Sequence, residues 1–192
     1  MKRFVLAICI SLLTPVVSWA DIIFTLGNNP QQPGEENVLL NSGATGSTVT
    51  GTLNQSGLLV NFTSITQTLI APSNGQARVE ATSGGKQVAL RDISFALANG
   101  TFTDAIFNPA GVGRIGASGT ANIVVIPNDA FGNPEPAALF SYTLGNGNNF
   151  LTVTASNGET INSISISARN GFADLRQVRI SGAGVPNRNG AR

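Results

Sequence analysis

The sequence has 192 residues, with no histidine and one each of cysteine, methionine and tryptophan. Cys9, Met1 and Trp19 all fall within the first twenty residues, so from Asp21 onward the chain has none of them. A serine nucleophile needs an imidazole or an equivalent base beside it. Beyond Asp21 the only lysine that could serve is Lys86. It stands in Ser83-Gly84-Gly85-Lys86-Gln87, which reads as a solvated hairpin tip, so a Ser–Lys pair has no support. Without cysteine there is no disulfide, and the fold must rest on burial and hydrogen bonding. Charge is scarce as well: setting aside Lys2 and Arg3, nine cationic side chains face ten acidic ones. No basic stripe is available to release counterions from a phosphate backbone, which excludes nucleic acid as a partner. The same balance gives no attraction to an anionic membrane surface. After residue 20 no apolar run is long enough to cross a bilayer.

What is present begins with a leader. Lys2 and Arg3 precede an apolar run from Phe4 to Val17, and Ser18-Trp19-Ala20 places small residues where a signal peptidase reads. Cleavage after Ala20 leaves Asp21 as the N-terminus. The run falls short of the roughly 18 to 20 residues that span a bilayer. Cys9 lies inside it rather than at the cleavage point, which argues against lipidation. The expected organisation is a signal peptide over 1–20, one domain over 21–182 and a polar, disordered tail over 183–192. A secreted protein with no membrane anchor after cleavage follows.

Within the domain, apolar and polar residues alternate with period two, and no segment shows helical periodicity. Strands are expected at 22–26, 37–41, 48–53, 58–63, 68–71, 77–81, 93–98, 101–107, 121–126, 138–144, 149–155, 161–168 and 175–181, separated by Gly, Asn, Pro and Ser. Asn157-Gly158 supplies the positive φ angles of a type I′ turn, predicting that 149–155 and 161–166 pair as a hairpin. Gly145-Asn146-Gly147-Asn148 extends this to a three-stranded meander, and Asn99-Gly100 predicts a further hairpin between Phe95 and Phe102. So many short strands predict an all-β, two-sheet antiparallel β-sandwich of jelly-roll type, because one open sheet of that width would expose an apolar face. Residues 110–119 and 128–136 read as long surface loops.

Ten acids could run glycoside chemistry, which needs two of them facing each other in a cleft. None sits in a recognisable motif, and Arg91-Asp92 and Asp174 with Arg176 read as surface ion pairs. The expectation is a non-enzymatic protein without a cofactor. One metal remains open, because Ca²⁺ takes carboxylate and carbonyl oxygens. Glu35, Glu36 and Asn37 close a Pro- and Gly-rich loop, and a jelly roll commonly sets its first and last strands side by side, which would bring Asp174 to them. The alternative for this cluster is a solvated loop. A sugar-binding sandwich uses an aromatic platform or a polar cleft. Phe131, in Asn128-Asp129-Ala130-Phe131-Gly132-Asn133, is an aromatic that alternation does not bury, and Phe172 is a second. Asp129, Phe131 and Asn133 are therefore the candidate ligand-binding residues, set against the alternative that both aromatics plug the end of the sandwich. Extracellular polysaccharide or envelope components are the expected partners.

Several runs carry a family resemblance. Phe140-Ser141-Tyr142-Thr143-Leu144-Gly145-Asn146-Gly147-Asn148-Asn149-Phe150, then Asn157-Gly158-Glu159, then Asp174-Leu175-Arg176-Gln177-Val178-Arg179-Ile180-Ser181-Gly182, resemble the exported domain of bacterial PEP-CTERM proteins. Glu36-Asn37-Val38-Leu39-Leu40-Asn41 and Gln55-Ser56-Gly57-Leu58-Leu59-Val60-Asn61-Phe62 add to it. The resemblance covers most of 21–182. It implies export and sorting rather than a reaction, since that family is defined by a Val-Pro-Glu-Pro motif, a membrane helix and a basic cluster. Here Val185-Pro186 is followed by Asn187 in place of Glu, and no such helix follows. The expectation is a freely secreted relative of the family, or one whose gene has lost the sorting tail.

Overall fold

The computed structural model describes residues 21–40, 43–73, 77–111 and 119–184. The expected leader, the Val185-Pro186 motif and residues 112–118 of the glycine-rich loop lie outside these residues. The described chain forms strands β1 (Ile22–Leu26), β2 (Glu36–Leu39), β3 (Thr45–Gly46), β4 (Thr48–Leu53), β5 (Leu59–Thr63), β6 (Thr68–Ile70), β7 (Arg78–Ser83) and β8 (Lys86–Val88). They continue with β9 (Leu90–Leu97), β10 (Asp104–Pro109), β11 (Gly119–Asn128), β12 (Ala138–Leu144), β13 (Leu151–Ala155), β14 (Thr160–Phe172) and β15 (Leu175–Ser181). All pairings are antiparallel.

One sheet runs β1-β13-β10-β15-β2 and the other β4-β5-β9-β14-β11-β12. β2 belongs to both: Glu36 and Asn37 pair with β15, whereas Val38 and Leu39 pair with β4, so this strand turns the corner between the layers. A ribbon of β3, β6, β7 and β8 attaches through β7 to the start of β15. From β9 onward the chain alternates between the layers, apart from the β11–β12 hairpin. This is an antiparallel β-sandwich of jelly-roll type, as the alternation predicts.

The core is built from inward-facing positions of both layers. On β13, Leu151, Val153 and Ala155 join it, while Thr152 and Thr154 take the outward positions of that strand. Phe62, Phe95, Phe102, Phe107 and Phe172 are fully buried. Phe95 of β9 meets Phe107 of β10 edge-on with ring centroids 5.4 Å apart, so the aromatic cluster bridges the two sheets.

Three predicted pairings fail, for a common reason. The Asn157-Gly158 turn does form: φ is 54° and 83° at its two residues, and the Glu159 amide donates to the Ser156 carbonyl at 2.9 Å. Yet β13 lies between β1 and β10, and β14 lies between β9 and β11. Both edges of each strand are taken, so the turn carries the chain across the sandwich instead of closing a hairpin. The 145–148 turn likewise links β12 in one layer to β13 in the other, which removes the meander. Asn99-Gly100 links β9 to β10 in the same manner, and Phe102 bridges to Ile161 instead of to Phe95.

The expected tail starts too early. Thr101 and Gly184 exchange both main-chain hydrogen bonds, each 3.0 Å, and Ala183 packs against the core. Lys86 is exposed beside the two-residue Gly84-Gly85 turn that joins β7 to β8, with Ser83 opposite Lys86 in the register. Asp174 and Arg176 do pair, at 2.5 Å, with Asp174 buried. Arg91 and Asp92 do not. Asp92 instead accepts from Ser64 Oγ at 2.8 Å and the Ile65 amide at 2.9 Å, tying the β5–β6 connection to β9.

Candidate functional site

The loop between β11 and β12 is organised by one carboxylate. Oδ1 of Asp129 accepts the Phe131 amide at 2.9 Å and the Asn133 amide at 2.7 Å, and Oδ2 accepts Asn133 Nδ2 at 2.8 Å. The Gly132 amide donates to the Asp129 carbonyl at 2.9 Å, and the Asp129 amide to the Asn133 carbonyl at 2.8 Å. Such Asx geometry substitutes for a backbone turn and fixes the shape of the loop by local hydrogen bonds. The Asn133 side chain and then its amide are the main donors that hold the Asp129 carboxyl below the usual carboxylate range. Gly132, at φ 86°, takes the left-handed position that closes the turn. At the apex Phe131 is 92% exposed.

Phe131 forms one wall of a depression of about 490 Å³ at this end of the sandwich. Gly158, Gly182 and Gly184 line it and put no side chain in the way, while Thr101, Thr160 and Asn128 supply hydroxyls and an amide. Gly158 also sets the position of the loop, because a Cβ there would lie 3.2 Å from that of Ala130. The structure thus sets Asp129 and Phe131 on one depression. Asn133 does not line it and acts by bracing the loop. Phe172, the second sequence candidate, is elsewhere: it is completely buried. The Asn170-Gly171 pair does not end the strand: β14 runs on to Phe172, which keeps the inward phase of Ile164, Ile166 and Ala168 and pairs with Leu90 across a register shift at Gly171, where φ is 78°.

The four residues considered for Ca²⁺ are not brought together. Glu35 Oε2 accepts the Gln32 amide at 3.0 Å and lies 3.3 Å from Arg179 Nη1. Glu36 Oε2 accepts the amides of Gln55 at 2.8 Å and Ser56 at 2.6 Å, which caps the β4–β5 turn. The main-chain amide of Asn37 donates to Asn54 Oδ1 at 2.8 Å. β2 does neighbour β15, but Glu36 stands opposite Ile180, so Asp174 lies six positions away along the strand. At about 3.3 Å per residue that is roughly 20 Å. Among the described residues no three acidic side chains converge as a metal would require.

Sequence reasoning missed a second depression. Two adjoining hollows, about 440 and 380 Å³, share Ala77 and Gln177 on the outer side of the β15 layer. Amides line them, among them Asn28, Gln31, Asn37, Asn54 and Gln177. Gln177 has φ 54° at a bulge opposite β10, where the register shifts between Ile106 and Asn108, and it accepts from the buried Asn108 at 3.1 Å. Nothing local in Arg176-Gln177-Val178 signals that bulge.

Fold and surface together define an antiparallel jelly-roll sandwich with an aromatic-walled depression at one end and an amide-lined hollow on one face. No protein-family model and no curated protein matches the chain. Among solved structures, the chain is similar to the family 11 carbohydrate-binding module of Clostridium thermocellum in complex with a β-1,3-1,4-mixed-linked tetrasaccharide. That likeness has 13% identity, covers 80% of this chain and 98% of that one, and gives a TM-score of 0.39. A variant of a family 29 carbohydrate-binding module is also similar, with 12% identity over 84% of this chain and 89% of that one and a TM-score of 0.26. Another family 29 module shows 10% identity, 84% and 86% coverage and a TM-score of 0.24.

Proposed function

We propose that this protein is a non-catalytic, exported β-sandwich that binds polysaccharide of the cell envelope or extracellular matrix at the Phe131 depression. One observation carries the reading: Phe131 is 92% exposed on a loop whose shape is already set by the hydrogen bonds of Asp129. A pyranose ring has an apolar C–H face that an aromatic ring covers, and hydroxyls around its rim that need donors and acceptors. Phe131 offers the first surface; Thr101, Thr160 and Asn128 offer the second. Because the loop is ordered before a ligand arrives, binding need not spend interaction energy on ordering it. The glycine-lined hollow admits a flat ring. The leader read at residues 1–20 supports export.

The test is a glycan array followed by calorimetric titration with whichever soluble polysaccharide scores, using the exported protein. Phe131→Ala is expected to weaken binding by about tenfold, since it removes a large apolar contact, while leaving the thermal midpoint unchanged. Gln177→Ala is expected to bind as the parent does. No binding across the array sinks the reading, as does loss of binding in Gln177→Ala with Phe131→Ala unaffected.

A further inference from the structure

The main-chain nitrogen of Asp21 donates to Oε2 of Glu159 at 2.8 Å, and Glu159 is buried, with 6% of its surface exposed. Asp21 is held there from several sides. Its carbonyl accepts the Ser156 amide at 3.1 Å and Ser156 Oγ at 3.0 Å, and its carboxylate accepts from Asn157 Nδ2. The charged groups facing Glu159 are all acids: the side chain of Asp21 itself, and Glu135 and Asp129 from the β11–β12 loop. Among the described residues no cationic side chain pairs with it. Burial first, and then those three acids, push its carboxyl above the usual glutamate range against the opposing pull of the Asp21 N–H. A buried carboxylate ringed by acids is costly to ionise unless a cation meets it. Among the described residues its hydrogen-bond donor is the main-chain nitrogen of Asp21, which becomes a cation when the bond before it is cut.

We propose that a signal peptidase hydrolyses the Ala20–Asp21 bond and that the α-ammonium so formed docks on Glu159, completing an ion pair with that buried carboxylate. In that step the C–N bond breaks and the oxygen of water passes to the Ala20 carboxyl. The nitrogen of Asp21 takes up protons to become –NH₃⁺, placed against the Glu159 carboxylate. Processing thereby anchors the start of β1 to the Ser156–Glu159 turn, whose Gly158 abuts Ala130 in the Phe131 loop. The inference stands apart from glycan binding, since it rests on Asp21 and Glu159 alone.

The full 192-residue chain is expressed in a secreting bacterial host and the exported product is sequenced from its N-terminus. Asp21 is the expected first residue; an uncleaved product or any other first residue overturns the proposal. Acetic anhydride at neutral pH then compares the α-amine with Lys86, the one lysine left beyond the cut. Acetylation of the α-amine is expected to be about tenfold slower in the folded protein than in urea, the ratio that corresponds to about one unit of raised pKa. Equal rates overturn it. Finally, Glu159→Gln is compared with the parent by thermal unfolding across pH. An α-amine whose folded pKa is raised stabilises below its unfolded pKa of about 7.7 to 8.0 and loses that contribution as pH rises through the folded value. The variant is therefore expected to unfold earlier at pH 7, with the gap closing by about pH 10. A variant as stable as the parent at pH 7 overturns the pairing.

Discussion

Phe131 is exposed because Asp129 leaves the loop no freedom to fold it inward. That side chain receives three hydrogen bonds from Phe131 and Asn133, so the ring projects on a rigid stem. Alternation could single out Phe131, since the residue falls in a turn-rich segment with no strand phase to bury it. Phe172 escapes the same logic because Asn170-Gly171 reads as a turn, whereas β14 runs on through it and keeps the ring on the buried side with Ile164, Ile166 and Ala168. Gly158 tests how closely the turn and the loop are coupled. It has φ 83°, and a Cβ there would press on Ala130 at 3.2 Å. Gly158→Ala is expected to destabilise the fold by about 1 kcal/mol through the left-handed backbone. It should also shift the amide resonances of residues 129–133 in a ¹H–¹⁵N spectrum, whereas a change confined to 157–159 would show the loop to be independent of the turn.

At the scale of elements, β2 and the β4–β5 turn depend on each other through Glu36. Burial would raise its carboxyl pKa, but the amides of Ser56 and Gln55 outweigh this and hold it below the usual glutamate range. A depressed folded pKa stabilises above the unfolded value of about 4.3, and the contribution is lost as pH falls through the folded value. Glu36→Gln should therefore unfold at lower urea than the parent at pH 7, by about 2 kcal/mol for charge-assisted hydrogen bonds. The two should converge below about pH 3; a constant gap across pH would mean that the carboxylate charge is not what counts. Strand positions were legible from alternation, with 48–53, 138–144 and 175–181 matching β4, β12 and β15 residue for residue. The two shortest additional strands, β3 and β8, escaped because two or three residues carry no period. Partners were not legible. Asn157-Gly158 adopts the hairpin turn its chemistry demands, yet β13 and β14 bond to other strands, because a turn sets the local direction of the chain and not the edges available to it.

For the molecule as a whole, aromatic contacts join the two layers: Phe24 of β1 stacks on Phe140 of β12 at 4.9 Å, and a larger cluster centres on Phe95. Phe95 touches Phe62, Phe102 and Phe107 at ring separations of 5.8, 6.2 and 5.4 Å. With no cysteine beyond the first twenty residues, packing must do what a disulfide would otherwise do. Phe95→Ala is expected to cost about 3 to 5 kcal/mol in urea unfolding, the range for emptying a buried aromatic site. A loss below about 1 kcal/mol would show that the sheets do not depend on this contact. The amino-acid sequence by itself determined the all-β class, the sandwich, the location of most strands and the projecting Phe131 loop. All of these follow from the period of hydrophobicity and from the local hydrogen-bonding chemistry of Asp, Asn and Gly. Only the tertiary structure decided which strands pair, that Asp174 stands at the far end of β15 from Glu36, and that Glu159 meets the nitrogen of Asp21. Those outcomes depend on which strand edges remain free once two sheets close on a shared core, and period two specifies a face without specifying a neighbour.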